Sequence, residues 1–92
     1  MYSIYRASKF RKELKQLSRN PYFKKHIFLF AVKVFAKGKL LEPKYNNHKL
    51  TGKYLGYHEC HLQPDILLIY KVDHDLRTLR LARIGSHSDL FR

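Results

Sequence analysis

An α+β fold, with an N-terminal strand and helix pair packed on an antiparallel sheet of about four strands, is predicted by three features of this 92-residue sequence. Apolar residues recur with a helical period through the N-terminal part of the chain. From residue 53 onward the pattern changes to short alternating segments. Those segments are separated by tight turns, which favours sequential antiparallel pairing.

The elements follow in order. Tyr2 to Ile4 alternate weakly and predict a short first strand over about residues 2–6. Ser8 is placed as an N-cap. Behind it Phe10, Leu14 and Leu17 form the stripe of an amphipathic helix, whose other face carries Lys9, Arg11, Lys12, Lys15 and Arg19. Asn20-Pro21 ends that helix, with Pro21 suited to the first position of the next. Ile27, Ala31 and Val34 predict one buried line of the second helix, and Phe28 and Phe35 a neighbouring one, with Gly38 as its stop. Residues 39–47 read as a loop. Residues 53–62, with a bulge at Gly56, then 66–72 and 76–84 read as three strands of a meander. Ser86-His87-Ser88-Asp89 has the capping spacing that opens a short terminal helical turn. The expected core is Leu14, Leu17, Ile27, Ala31, Val34, Leu67, Ile69, Leu79 and Leu81.

At this length residues 1–92 are expected to form a single domain. The net charge is +12, and a folded surface this basic favours a polyanionic partner, above all nucleic acid. The lone Cys60 excludes an internal disulfide and an all-thiolate zinc site, and suits a reducing, cytoplasmic compartment. The first residues lack the apolar core of a signal peptide, and no apolar run has the length of a membrane span, so no membrane partner is expected.

Six histidines carry most of the chemical information. On the strand at 53–62, Tyr57, Glu59 and His61 share one face and His58 and Cys60 the other. The turn after Leu62 is expected to bring Asp65 back towards His61, where a carboxylate and an imidazole can orient each other. His87 opens the terminal turn, and Arg83 ends the last strand within reach of the same place. Two or more imidazoles, a carboxylate and an arginine suit metal-free RNA cleavage, which needs a base for the 2′-OH, an acid for the departing 5′-oxygen and cations around phosphorus. His58-x-Cys60-His61 lacks a second ligand pair, so no metal site and no cofactor are expected. Taken singly, each histidine is more often a surface or core residue, and Arg83 can equally pair with an acidic side chain.

The stretch from His48 to Phe91 resembles the YafQ branch of the RelE/ParE superfamily of bacterial toxins, from type II toxin–antitoxin modules. His48-Lys49-Leu50 with Gly52 is similar to the family's H-x-L-x-G segment. Gly56-Tyr57-His58-Glu59-Cys60-His61 is similar to G-Y-R-[DE]-x-H, and Pro64-Asp65 with Leu68-Ile69-Tyr70-Lys71 to P-D-x-[IL]-L-I-Y-[KR]. Arg83-x-Gly85-Ser86-His87 with Leu90-Phe91 is similar to R-x-G-[ST]-H-x-x-L-F. The departure is His58, where the pattern has arginine. The resemblance implies a RelE-like fold and an endoribonuclease that cuts mRNA on the ribosome and is neutralised by a cognate antitoxin. It implies His48, His61, Asp65 and His87 as catalytic residues, with His87 the general acid, and Arg83 and Phe91 as RNA contacts; Lys53 is expected to contact RNA as well. Two other classes stay open on the residues: a ParE-like inhibitor of DNA gyrase, which needs no acid–base groups, and a basic nucleic-acid-binding module.

Overall fold

The structure, a computed structural model, describes residues 1–91. Its elements are β1 (Ser3–Arg6), α1 (Ser8–Leu17), α2 (Lys25–Ala36), β2 (His48–Lys49), β3 (His58–Gln63), β4 (Ile66–Asp73), β5 (Thr78–Gly85) and α3 (His87–Leu90). The expected α+β fold is present, with one more strand than anticipated. The sheet has five strands in the order β1-β5-β4-β3-β2. β3, β4 and β5 form the predicted antiparallel meander, but β1 pairs parallel to β5, so the sheet is mixed. The two intervening helices carry the chain back across the sheet, and a crossover of that kind makes a parallel neighbour possible. β2 has only two residues and pairs with the start of β3. A strand so short leaves no alternation to read in the sequence.

Several boundaries differ from expectation for local reasons. Ala7, not Ser8, caps α1, and it provides no side-chain bond. Pro21 lies in a turn ahead of α2, where the Asn20 Oδ1 accepts from the Tyr22 amide at 2.9 Å. That turn is clamped from the sheet. The buried Gln63 accepts from the Lys24 amide at 2.7 Å and donates to the Tyr22 carbonyl at 2.9 Å. A polar side chain buried this deeply is tolerated because both ends of its amide are satisfied. Gly56 is not a bulge within a strand but a left-handed residue ahead of β3. The bulges fall instead between His61 and Gln63 and between Ile69 and Tyr70. Gly38, with φ of +74°, ends α2 as expected, and a Cβ there would lie 3.0 Å from the Tyr2 hydroxyl.

α1 and α2 cover one face of the sheet. The main core joins Phe10, Phe28, Ala31 and Phe35 to Cys60, Leu62, Leu68, Tyr70, Leu79 and Leu81. Leu14, Leu17, Ile27 and Val34, expected in the core, pack at its margin, partly buried. The line through Phe28 and Phe35 is the one aimed at the sheet, and the Phe35 ring stacks on Tyr70 with centroids 4.0 Å apart. Aromatic rings bury more area per position than Ile or Val, so they set the roll of the helix. A second, smaller cluster occupies the other face: Leu67, Ile69 and Leu90, with Leu50, Tyr54, Tyr57 and Ala82 around them. α3 closes that face at one end. Among the described residues no helix is long and apolar enough to cross a membrane.

Candidate active site

Cross-strand register builds the site on the face opposite the helix pair. His48 on β2 pairs with Glu59 on β3, Glu59 with Ile69 on β4, and Ile69 with Arg83 on β5. Directly paired residues point to the same side of a sheet. One transverse row therefore runs His48, Glu59, Ile69, Arg83, spanning three strand spacings or about 14 Å. His61 lies two residues from Glu59 and so faces the same way. The predicted partition of β3 is correct: Glu59 and His61 on one face, His58 and Cys60 on the other.

The two imidazoles converge on one carboxylate oxygen. His48 Nε2 is 3.1 Å and His61 Nε2 3.5 Å from Glu59 Oε1. Glu59 is only 5% exposed. The loop before β2 prepares this contact. Asn46 takes a left-handed conformation (φ 47°) and its carbonyl accepts from His48 Nδ1 at 2.9 Å, while Asn47 Oδ1 accepts from the Tyr70 hydroxyl at 2.8 Å. With Nδ1 donating to a carbonyl, Nε2 is the nitrogen left to face Glu59. A close contact there needs one proton, carried by the ring or by the carboxyl. The cluster is thus two imidazoles held against one buried carboxylate at the open edge of the sheet. The sequence had placed Asp65 beside His61. The structure instead puts Glu59 in that position and leaves Asp65 exposed in the turn between β3 and β4. Periodicity located Glu59 on the correct face, but no sequence signal marked it as the shared partner of two histidines from different strands.

The far end of the face holds His87, Phe91, Tyr54 and Arg83. Ser86 caps α3, its hydroxyl accepting from the Asp89 amide at 3.2 Å, as the spacing predicted. The cap leaves the His87 side chain exposed, with its ring centroid 5.0 Å from that of Phe91. Phe91 is 40% exposed and meets Tyr54 edge-on at 6.5 Å. Leu90 anchors the turn beneath them in the second apolar cluster.

Arg83 is held more tightly than a free phosphate ligand. Its Nε donates to Glu13 Oε1 at 2.9 Å, Nη2 donates to Glu13 Oε2 at 2.7 Å, and Nη1 donates to the Tyr54 hydroxyl at 3.0 Å. Glu13 Oε1 also accepts from the Ile84 amide at 3.2 Å, so the carboxylate satisfies the edge of β5 beyond the end of β1. These bonds to Glu13 hold the guanidinium well above its ordinary pKa, against the opposing effect of burial. Arg83 and Lys53 line one polar cleft of about 600 Å³ with Lys9, Glu13, Gln16 and Asn20. Two of the expected RNA contacts therefore share a groove, and His61 lines a separate hollow beside Tyr45 and Pro64.

His58 stands apart from this chemistry. Its ring stacks on Tyr70 at 5.6 Å on the helix-covered face, and burial, aided by Lys49, lowers its pKa from 6.5. The neutral ring is thus the form that suits the fold. Above pH 6.5 both folded and unfolded chains keep it neutral. As pH falls below that value the unfolded chain takes up the proton first, and stability declines. Thermal melts between about pH 7.5 and about pH 5 should show a shallower fall in Tm for His58→Gln than for the parent; parallel curves would remove His58 as a source of acid sensitivity. Cys60, also on the covered side, has its thiol pushed up to about 12 by burial and by Glu59, which makes it an inert core residue.

This fold, with a helix pair on one face of a five-stranded sheet, is shared with solved bacterial toxins, one of them in a toxin–antitoxin complex. Within that class, the family model of the YafQ toxin matches residues 2–92, and the chain belongs to that family. It is 45% identical over 51 residues to the mRNA interferase toxin YafQ of Escherichia coli K12, a match covering 55% of this chain and 53% of that protein. The chain thus spans about half the length of the curated relatives it matches. A metal-bound toxin from Helicobacter pylori superposes with a TM-score of 0.89 at 42% identity, over 99% of this chain and 100% of that one. YafQ in the E. coli DinJ–YafQ complex superposes with a TM-score of 0.86 at 27% identity, with full coverage of both chains.

Proposed function

We propose that this chain is a toxin endoribonuclease that cuts mRNA on the ribosome and is held inactive by a cognate antitoxin. The observation that carries the reading is the placement of two acid–base groups of histidines at opposite ends of one sheet face. His48 and His61 share Glu59 at the open edge, and His87 stands at the closed edge beside Phe91. Names of the relatives support the same activity, since the matched E. coli protein is an mRNA interferase and a YafQ structure contains DinJ.

In the proposed reaction RNA lies between the Glu59-linked imidazoles and the terminal turn, with a base against Phe91. The Glu59-linked imidazoles accept the proton of the 2′-OH, and the 2′-oxygen attacks phosphorus. The bond from phosphorus to the 5′-oxygen breaks as His87 donates a proton to that oxygen. Arg83 and Lys53 offset the charge that develops on phosphorus. The resemblance keeps Asp65 in the set, on the turn that follows the strand of His61. The products are a 2′,3′-cyclic phosphate and a 5′-hydroxyl. End-group analysis of mRNA cut by purified chain on ribosomes should find those ends, and a 2′-deoxy substitution at the cut position should stop cleavage. A 5′-phosphate product, or undiminished cutting of the deoxy substrate, would overturn the mechanism.

A further inference from the structure

Four rings follow one another across the face of the sheet that carries the site. Starting from His87, the ring centroids step 5.0 Å to Phe91, 6.5 Å to Tyr54 and 6.1 Å to Tyr57. The reaction above uses only the first two as rings. Tyr54 and Tyr57 pack on the cluster of Leu67, Ile69 and Leu90 and stay partly exposed. Tyr54 meets its neighbours edge-on, at 83° to Phe91 and 77° to Tyr57, so these contacts stack neither tyrosine against a parallel ring. Each tyrosine carries a lysine. Lys53 Nζ lies 5.7 Å from the Tyr54 centroid, and Lys71 Nζ 5.7 Å from that of Tyr57.

The segment is tied down before any ligand arrives. The Tyr57 amide donates to the Tyr54 carbonyl at 2.9 Å, and the Leu50 amide donates to the Tyr57 carbonyl at 2.9 Å. The Tyr54 hydroxyl accepts from Arg83 Nη1 at 3.0 Å. Covering an apolar cluster needs neither aromatic rings nor lysines, since aliphatic side chains serve as well. Fixed rings interleaved with cations are what single-stranded nucleic acid requires: bases stack on the rings and phosphates meet the cations. Lys53 and Lys71 are both exposed, so each ammonium is free to turn to a phosphate as a base takes its place over the ring. The chemistry sets the polarity. His87 protonates the 5′-oxygen of the nucleotide on the 3′ side of the cut, whereas the imidazoles at Glu59 face the 2′-OH on the 5′ side. A line of rings that begins at His87 therefore receives the 3′-side nucleotides.

We propose that Tyr54 and Tyr57, with Lys53 and Lys71, form a stacking track for the RNA nucleotides that follow the cleaved bond on its 3′ side. The proposal rests on the toxin reading above, and its test is arranged to fail separately from it. The cut is mapped on ribosomes programmed with a defined mRNA, and single abasic ribonucleotides are then placed at successive positions on either side of it. At subsaturating parent chain, an abasic site beyond the first nucleotide on the 3′ side should slow single-turnover cleavage by about 5-fold or more, the lower end of what one base–aromatic stack contributes. Abasic sites at the matching 5′ positions should cost less. Tyr57→Leu should be slowed to a similar degree on intact mRNA and be indifferent to the 3′ abasic site, while Tyr57→Phe should keep both the rate and the sensitivity. A ring that merely covers the apolar cluster produces no such coupling to a base. The scan on the parent needs no variant, so it stands even where Tyr57→Leu does not fold. Parent rates within about twofold of intact mRNA at every 3′ abasic position would overturn the proposal. So would sensitivity confined to the 5′ side, or a folded Tyr57→Leu protein with the full parental sensitivity. If the parent itself cleaves no RNA, the toxin reading fails, and fluorescence anisotropy with a short single-stranded RNA still decides the track. Binding weaker by about 5-fold in Tyr57→Leu supports it, and equal binding overturns it.

Discussion

His87→Ala is expected to lower the single-turnover rate of mRNA cleavage on the ribosome by on the order of 10²–10⁴-fold, the range for losing a general acid. The fold should not notice. His87 is the exposed first residue of α3, the cap is supplied by Ser86, and the buried anchor of the turn is Leu90. Among the described residues its ring contact is with Phe91, centroids 5.0 Å apart. Tm and ribosome co-sedimentation should therefore match the parent, placing the defect in the chemical step. Cleavage at the parental rate would remove His87 as the acid. Loss of activity with an equal loss of ribosome binding would make it a contact instead. Phe91→Ala provides a useful contrast, because base stacking of about 1–3 kcal/mol would appear in substrate affinity before it appeared in the chemical step.

The second large effect is on stability. Glu13→Ala removes the carboxylate that accepts two donors of Arg83 and the backbone amide of Ile84. It leaves Arg83, a residue 8% exposed, with Tyr54 as its remaining hydrogen-bond partner among the described residues. An abandoned buried charge costs about 3–5 kcal/mol, and the lower figure suits a pair at the margin of the sheet. Against a total stability of about 5–15 kcal/mol that is severe, and Tm should drop by about 12–20 °C. Replacing both partners with apolar residues of similar size, as in Glu13→Leu/Arg83→Met, should recover most of the loss, since the penalty lies in the unpaired charge rather than in the pair. The double variant also separates the two roles of Arg83. Restored melting with poor cleavage would show that the guanidinium acts on RNA as well as on the fold. Restored melting with parental cleavage would leave Arg83 a purely structural strut. A Glu13→Ala protein that melts like the parent would show that water or movement of Arg83 replaces the pair.

Much of this was legible in the sequence because it depends on neighbours along the chain. The order of strand, two helices and a three-stranded meander follows from periodicity and turn residues. The cap at Ser86 follows from a three-residue spacing, and the shared face of Glu59 and His61 from the two-residue repeat of a strand. What local pattern cannot express is which residue meets another from a different strand. His48 finds Glu59 because a two-residue strand pairs in one register and because Tyr70 and Asn46 fix the loop before it. Arg83 finds Glu13 across a separation of 70 residues because α1 covers the edge of β5 where β1 ends. β1 joins that edge parallel rather than antiparallel because the helix pair returns the chain across the sheet. The sequence by itself therefore determined the main elements, β2 excepted, and the face that each residue of β3 takes. Only the tertiary structure decided the partners of the charged groups. The reason is physical: side-chain direction is set by the backbone period within one element, whereas the desolvation of a buried charge is offset only by whichever group the register and packing of other elements bring within hydrogen-bonding distance.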